Sequence, residues 1–127
     1  LFYISINLGR PAKACLNLLI KKAMKLLNNK LLKKFAKIGC QEDNPDPLII
    51  AKFFNPTGAG TWYATEFNPK DKMFFGYVSI FGDENDEWGY FSLTELENLK
   101  GPYGLGIERD LYFSPKKASQ VIKKVYD

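Results

Sequence analysis

The stretch that decides the fold is AKFFNPTGAGTWYATEFNPKDKMFFGYVSIF, residues 51–81. It contains three segments rich in aromatic and β-branched residues, which favour strands. The segments are separated by PTGAG and NPKDK, which are typical of turns. Strands joined by such short connections pair antiparallel. Strict alternation in the middle segment places Trp62 and Glu66 on one face of the strand, and that face decides whether they belong to the core or to a site.

Further strands and helices follow on both sides of this stretch. In chain order we predict a helix over 24–38, strands over 48–54, 61–67, 73–81 and 88–91, a helix over 93–100, a strand over 107–113 and a helix from 114 to about 126. The order predicts an α+β fold. It is a mainly antiparallel sheet of about five strands with an N-terminal helix, a short helix between strands 4 and 5, and a C-terminal helix.

Local residue signals mark the ends of these helices. Asn28 suits the N-cap of the first helix and Gly39 its C′ position. Ser92 followed by Glu95 is a capping box, so we interpret this pair as a helix start rather than as a nucleophile with its base. Ser114-Pro115 is predicted to cap and start the last helix.

Charge is distributed unevenly along the chain. Residues 1–41 carry nine Lys and Arg and no acid, whereas nine bases meet fourteen acids from Glu42 onward. The first 23 residues are interpreted as a non-native extension or an over-extended reading frame, with a single α+β domain over 24–127. The alternative is a basic amphipathic helix over 11–25 that lies on a membrane or an acidic partner. The basic net charge therefore says little about the folded part.

Composition excludes several classes of chemistry. The chain has no histidine, which removes imidazole acid–base catalysis and His-ligated metals. Its two cysteines cannot form a disulfide framework, which favours a reducing cytoplasm. No apolar run approaches the roughly 20 residues needed to span a bilayer. We expect a cytoplasmic protein with no cofactor, no metal site and no membrane association.

The glycines at the centre of the opening stretch raise the question of phosphate binding. A P-loop requires a Lys and a helix after its glycines. Gly58 and Gly60 are followed instead by the strand residues Thr61, Trp62 and Tyr63. We therefore interpret both glycines as positive-φ residues of a hairpin loop.

From residue 24 to about 117 the chain resembles the bacterial domain-of-unknown-function family 2958. The matching pieces are the opening MKLL, AKFFNPTGAGTWYATEFNP, FFGYVSIF and EWGYFSLTELENLKGPYGLGIERDLYF. The resemblance implies a small intracellular protein, often encoded on plasmids, phages and other mobile elements near DNA-processing and anti-restriction genes. It supplies no catalytic residues.

Carboxylates provide the candidate chemistry. Glu66 lies among aromatic residues, and Glu108 and Asp110 share one face of the last strand while Arg109 takes the other. Paired carboxylates could serve as acid and base in a cofactor-independent enzyme. The alternative is a structural ion pair, for example Glu66 with Arg109, because a partly buried acid needs a partner.

An acidic turn gives a second candidate surface, formed by Asp83, Glu84, Asp86 and Glu87. Its sequence lacks the pattern of a calcium loop. We predict a non-enzymatic accessory protein that binds another protein, for which a DNA-processing protein is one candidate. In that case the acidic region would imitate the phosphate backbone of DNA.

The basic helix and the aromatic strands are two candidate surfaces for nucleic acid binding. The basic helix over 24–38 is the alternative we retain, testable by salt-dependent binding. Stacking of bases on the aromatic strands is less favoured, because it normally requires interleaved Lys and Arg and this region is acidic. The aromatic side chains are interpreted as core and helix packing, and direct nucleic acid binding is not expected.

Overall fold

The computed structural model of the chain describes residues 26–80, 86–101 and 105–122. The helices are α1 (Asn29–Ile38), α2 (Leu93–Asn98) and α3 (Ala118–Val121). The strands are β1 (Leu48–Ile49), β2 (Ala51–Phe54), β3 (Thr61–Asn68), β4 (Met73–Ser79), β5 (Glu87–Ser92), β6 (Glu108–Arg109) and β7 (Lys116–Lys117). No helix within these ranges is long and apolar enough to cross a membrane.

The strands form a five-stranded sheet in the order β5-β4-β3-β2-β6, in which every neighbouring pair is antiparallel. β1 and β7 pair separately, also antiparallel. The predicted α+β class and the antiparallel sheet of five strands are confirmed. The predicted strand over 48–54 is divided at Ile50 between the two sheets, because Ile50 leaves the β1 pairing and donates its N–H to Ala64.

One face of the large sheet packs against α1 and α2 and holds the main core. We call it the α1 face. Phe74 lies at its centre, fully buried, with ring contacts to Phe35 of α1 and to Phe53, Phe67 and Phe91. Such aromatic clusters bury a large apolar area and dominate the energetics of a small core. The apolar side chains Leu31, Leu32, Phe35 and Ile38 of α1 therefore face the sheet.

The opposite face of the sheet is covered only in part. Ile49 of β1 and Ala118 and Ile122 at α3 form a second buried cluster with Tyr77. Tyr63, Trp88, Phe113 and Val121 pack against that cluster. Aromatic side chains thus pack on both faces, as the interpretation of core and helix packing requires. Beyond this cover, Tyr90 of β5 is 75% exposed.

The predicted caps of α1 and α2 are confirmed. Asn28 accepts a hydrogen bond from the Leu31 N–H at 2.8 Å, and Gly39 ends α1 with a φ of 68°. The Ser92 hydroxyl accepts from the Glu95 N–H at 3.2 Å. These contacts satisfy backbone groups that a helix end leaves without partners.

The predictions for the C-terminal region are wrong in part. Ser114-Pro115 does not start the last helix; the helix begins at Ala118, because Lys116–Lys117 pairs with β1. The predicted strand over 107–113 shortens to Glu108–Arg109. The Asp110 carboxylate accepts from the Tyr112 N–H at 2.9 Å, which turns the chain away from the sheet. Residues 123–127 of the predicted helix lie outside the described part of the chain.

The glycine-rich loop is the bend between β2 and β3. Gly60 has a φ of 128°, and its carbonyl accepts the Asn55 N–H at 3.0 Å, so its role as a hairpin glycine is confirmed. The same prediction is wrong for Gly58, which does not have a positive φ. Gly76 of β4 permits a close crossing, because a Cβ there would overlap the carbonyl oxygen of Tyr63 on β3.

Candidate functional site: a groove beside Glu66

A β-bulge in β3 determines where Glu66 points. Ala64 pairs with Gly76, but the next pair is Glu66 with Phe75, so Thr65 is the extra residue. One inserted residue moves the following side chains to the other face of a sheet. Trp62 is 8% exposed and packs in the core of the α1 face, whereas Glu66 lies on the opposite face beside Phe75. The prediction that Trp62 and Glu66 share a face is therefore wrong, and Trp62 belongs to the core.

The Gln41 side chain holds the bulge in place. Its Nε2 donates to the carbonyls of Thr65, at 2.8 Å, and Leu48, at 2.9 Å, and its Oε1 accepts from the Leu48 N–H at 2.7 Å. Thr65 also donates its hydroxyl to the carbonyl of Phe75 at 3.0 Å. Gln41 thereby satisfies backbone groups that the bulge and the end of β1 would otherwise leave without a partner.

These contacts form one wall of a cavity of about 270 Å³, which we call the Glu66 groove. The sheet supplies Thr65, Glu66, Phe75, Trp88 and Tyr90, and the loop after α1 supplies Gln41, Glu42, Asn44, Pro45 and Pro47. A neighbouring depression of about 790 Å³ shares Glu66, Phe75 and Tyr90 with it. The groove therefore occupies the part of the opposite face that α3 and β7 leave open.

Aromatic rings line the sheet side of the groove. Phe75 lies between two rings of β5: it stacks on Trp88 with centroids 6.2 Å apart and meets Tyr90 edge to face at 5.0 Å. Glu66, Phe75 and Tyr90 are consecutive cross-strand neighbours, so their side chains form one row on the same face. A carboxylate thus stands at the end of an aromatic row.

The groove is acidic. Its lining includes Glu42 and Glu66, and neither it nor the neighbouring depression is lined by a Lys or Arg among the described residues. Glu66 is half-buried, and its Oε2 accepts the backbone N–H of Gln41 at 3.2 Å. A cation that entered the groove would meet a carboxylate that is not paired with any Lys or Arg of the described ranges.

The loop wall is fixed by a contact with α3. Asp46 accepts hydrogen bonds from the Ser119 N–H at 2.8 Å and from the Ser119 hydroxyl at 2.6 Å. These two bonds, with the side-chain bond the stronger cause, lower the pKa of Asp46 below its ordinary value. The ionised carboxylate therefore ties the loop to the C-terminal helix at neutral pH.

Burial favours the protonated form of three side chains, two of which lie on the opposite face of the sheet. Burial raises the pKa of Tyr63 and of Tyr77, and the charge of Asp86 adds to the effect at both. Burial likewise raises the pKa of Glu97 on α2, opposed by Lys72. The two tyrosines are neutral packing residues in the covered part of the opposite face.

The other carboxylates predicted as an enzyme site do not meet Glu66. Asp110 forms an ion pair with Lys52 at 3.8 Å, and the register places Glu108 beside Phe54. Strands lie about 4.8 Å apart and rise about 3.3 Å per residue, so Glu66 is on the order of 13 Å from Asp110. Glu108 and Asp110 share a face, as predicted, but the three carboxylates form no common site.

The suggested ion pair between Glu66 and Arg109 is also wrong. Arg109 lies opposite Phe53 on the α1 face, and its Nη1 is buried without a hydrogen-bond partner among the described residues. Glu66 lies on the other face and bonds to Gln41. The bulge separates the two residues, because without it Glu66 would have followed Trp62 toward the α1 face.

The acidic turn is described only at its end. Asp83 and Glu84 lie outside the described residues. The Asp86 carboxylate accepts the Ser79 hydroxyl at 2.8 Å, and Glu87 is exposed at the start of β5. A role for this turn in binding stays a prediction.

Metal ligation finds no support in the described ranges, where no three Cys, Asp or Glu residues come together as a possible metal site. Cys40 is a free, exposed thiol directly before Gln41. It borders the neighbouring depression rather than the Glu66 groove itself.

Comparison with known proteins identifies the family of the chain. Residues 19–124 match the family described as "Protein of unknown function (DUF2958)". This match covers most of the chain, which therefore belongs to that family, as its motifs indicated. The matched region begins at residue 19, upstream of Met24. No curated protein and no solved structure matches the chain.

Proposed function

We propose that the protein is a non-enzymatic binding protein that engages a basic protein partner through the Glu66 groove and the adjoining acidic surface. The observation that carries the proposal is the open part of the opposite face, where aromatic rings and two glutamates meet without a Lys or Arg in the lining. The setting we propose is cytoplasmic. A DNA-processing protein of a mobile element is the partner that the family resemblance suggests.

Exposed aromatic side chains in a concave site are the usual anchors of protein interfaces. Tyr90 is 75% exposed, and Phe75 and Trp88 support it from the sheet. Acidic groups around such anchors select a basic partner and speed its association. The groove combines both properties on a rigid sheet.

The enzyme alternative loses the geometry on which it depended. It required Glu66, Glu108, Arg109 and Asp110 to converge in one pocket. Carboxylates that act as an acid–base pair stand about 5 to 9.5 Å apart. The distance between Glu66 and Asp110, on the order of 13 Å, is larger than that. Asp110 is also already paired with Lys52.

The test is chemical cross-linking of the captured complex. The full chain is used as bait in lysate of the host cell, and a carbodiimide then joins carboxylates to lysines in direct contact. We expect a basic partner that is cross-linked at Glu42 or Glu66. Cross-links from the lysines of α1 alone would show an acidic partner and overturn the proposal, and so would failure to capture a basic protein.

A variant in which all four acids of the acidic turn are made neutral separates the two surfaces (D83N, E84Q, D86N and E87Q). If the turn imitates DNA, this variant loses the partner even though the groove is intact. Unchanged capture restricts the interface to the groove and removes the DNA-mimic hypothesis.

A second candidate function is nucleic acid binding by α1, favoured by one specific observation. Lys30, Lys33, Lys34 and Lys37 follow the i, i+3, i+4, i+7 spacing of a single helix face, opposite the buried Phe35. A stripe of this kind can contact phosphates. A gel shift of the full chain on duplex and single-stranded DNA at several salt concentrations tests it. Binding that does not weaken with salt, or no binding, eliminates it.

A further inference from the structure

The Glu66 carboxylate and the aromatic row beside it define a smaller site within the groove. Glu66 pairs with Phe75 across β3 and β4, and Phe75 pairs with Tyr90 across β4 and β5. Side chains directly opposite each other on antiparallel strands lie about 5 Å apart at Cβ. The negative charge therefore stands next to the aromatic row rather than at a distance from it.

Glu66 retains capacity to bind a ligand. Its Oε2 accepts one bond, from the Gln41 N–H, and its Oε1 accepts none from the described part of the chain. No Lys or Arg within those ranges forms an ion pair with it. The Gln41 bond fixes the orientation of the carboxylate, so a ligand would meet an acceptor that is already in position.

The chemistry of this site selects a flat cation. Ring faces attract cations, and a guanidinium also stacks on aromatic rings and donates several hydrogen bonds to a carboxylate. Glu42 and Asn44 add side-chain oxygen acceptors around the cavity. An anion would be repelled by both glutamates of the lining.

We propose that the Glu66 groove binds an arginine side chain of the partner protein. The guanidinium stacks within the aromatic row of Phe75, Trp88 and Tyr90 and donates to Glu66. This inference rests on the proposed function, since it names the group of the basic partner that enters the groove. The cavity of about 270 Å³ admits one side chain and not a folded element.

The experiment is an NMR titration of the isotope-labelled full chain with Nα-acetyl-arginine methylamide. The control ligand is the citrulline equivalent, which has the same shape and no charge. We expect saturable shifts of the Trp88 indole and of the Glu66 and Tyr90 amides at millimolar concentration, which corresponds to about 4 kcal/mol. The citrulline compound should bind at least about tenfold more weakly, a difference of roughly 1.4 kcal/mol.

Two variants locate the binding. Glu66→Gln keeps the shape of the side chain and an acceptor for the Gln41 N–H but removes the charge, so affinity for the arginine compound should fall about tenfold. Glu95→Gln is the matched control, because Glu95 is exposed on α2, which packs on the other face of the sheet. It should bind as the wild type does. The amide spectrum of each variant reports whether it is folded.

Several outcomes would overturn the inference: equal binding of the citrulline compound, shifts located away from the groove, or wild-type affinity in Glu66→Gln. Binding of the equivalent lysine compound at least as tightly as the arginine compound would overturn the assignment to arginine. The outcome is separable from that of the proposed function. Capture of a basic partner without any response to the arginine compound defeats only the arginine site. A response without a captured partner defeats the proposed function instead.

Discussion

Replacing Gln41 by alanine should destabilise the protein far more than the same replacement of an exposed glutamine would. The side chain makes three hydrogen bonds, to the carbonyls of Thr65 and Leu48 and from the Leu48 N–H. A hydrogen bond of this kind contributes about 1 kcal/mol net, and a buried group left without a partner costs about 1 to 3 kcal/mol. Thr65 is 1% exposed, so water cannot readily replace the lost donor at its carbonyl. We expect a loss of about 3 kcal/mol in the free energy of unfolding.

That loss is a large part of the 5 to 15 kcal/mol typical of a domain's stability. It can be measured by urea denaturation, followed through tryptophan fluorescence. With a slope of roughly 1.5 kcal/mol per molar urea, the midpoint should fall by about 2 M. The Leu48 amide should also exchange its hydrogen faster, because its acceptor is gone.

Gln120→Ala is the matched control. Gln120 is exposed, and its Oε1 accepts a single bond from the Lys117 N–H at 3.0 Å. Its loss should cost about 1 kcal/mol or less. If Gln41→Ala were within about 0.5 kcal/mol of this control, the bulge would not depend on Gln41 and the account of the groove wall would be wrong.

Two further predictions concern the sheet and the loop wall. Gly76→Ala should lower the free energy of unfolding by about 1 to 3 kcal/mol, because the new methyl group would overlap the Tyr63 carbonyl. The control is Gly89→Ala on the neighbouring strand, where the methyl group meets nothing within 4 Å, so this variant should be neutral or slightly stabilised. Thermal unfolding of both variants checks this, and equal losses of stability would refute it. Asp46→Asn should be destabilising at pH 7, and its difference from the wild type should be smaller at pH 3, below the ordinary carboxyl pKa of 3.8. The Ser119 bonds lower the folded-state pKa of Asp46, so the carboxylate stabilises the fold above its ordinary pKa, and this stabilisation is lost as the pH falls through the folded-state pKa. Urea midpoints of both proteins at both pH values test this. A difference between variant and wild type that does not change with pH would contradict it.

The elements that local sequence determines were predictable. Asn28, Gly39 and Ser92 mark helix ends through contacts with residues three or four positions away, so the signal and its cause lie in the same short window. The antiparallel order of the central strands also followed from the short connections between them. In both cases no distant part of the chain had to be known.

The candidate site could not be predicted, because it depends on one extra residue in β3. Alternation continues without interruption through Thr65, and it places Glu66 with Trp62. The sequence contained a weak indication of the bulge. Phe67 packs with Trp62 in the core of the α1 face, although the two residues are an odd number of positions apart. In a strand with regular alternation, residues on the same face are an even number of positions apart. Reading it as a bulge would have required knowing that Phe67 contacts Phe74 at 4.7 Å.

The role of Gln41 was beyond sequence reasoning for a different reason. It follows α1 in a polar loop, and its partner Thr65 lies 24 residues further along. The failure at the C-terminus has a local cause, since Asp110 favours a turn that competes with the predicted strand. There the preference of a single residue overrode the apolar pattern of the segment.

The contact between Asp46 and Ser119 has a consequence for the order in which the protein matures. The two residues are 73 positions apart, and β7, which pairs with β1, directly precedes α3. Chains fold from the N-terminus as they are synthesised. The large sheet can form before residues 116–119 leave the ribosome, but the loop wall of the groove cannot be fixed until those residues are available. The groove that we propose as the binding site is therefore complete only after residues 116–119 have been synthesised.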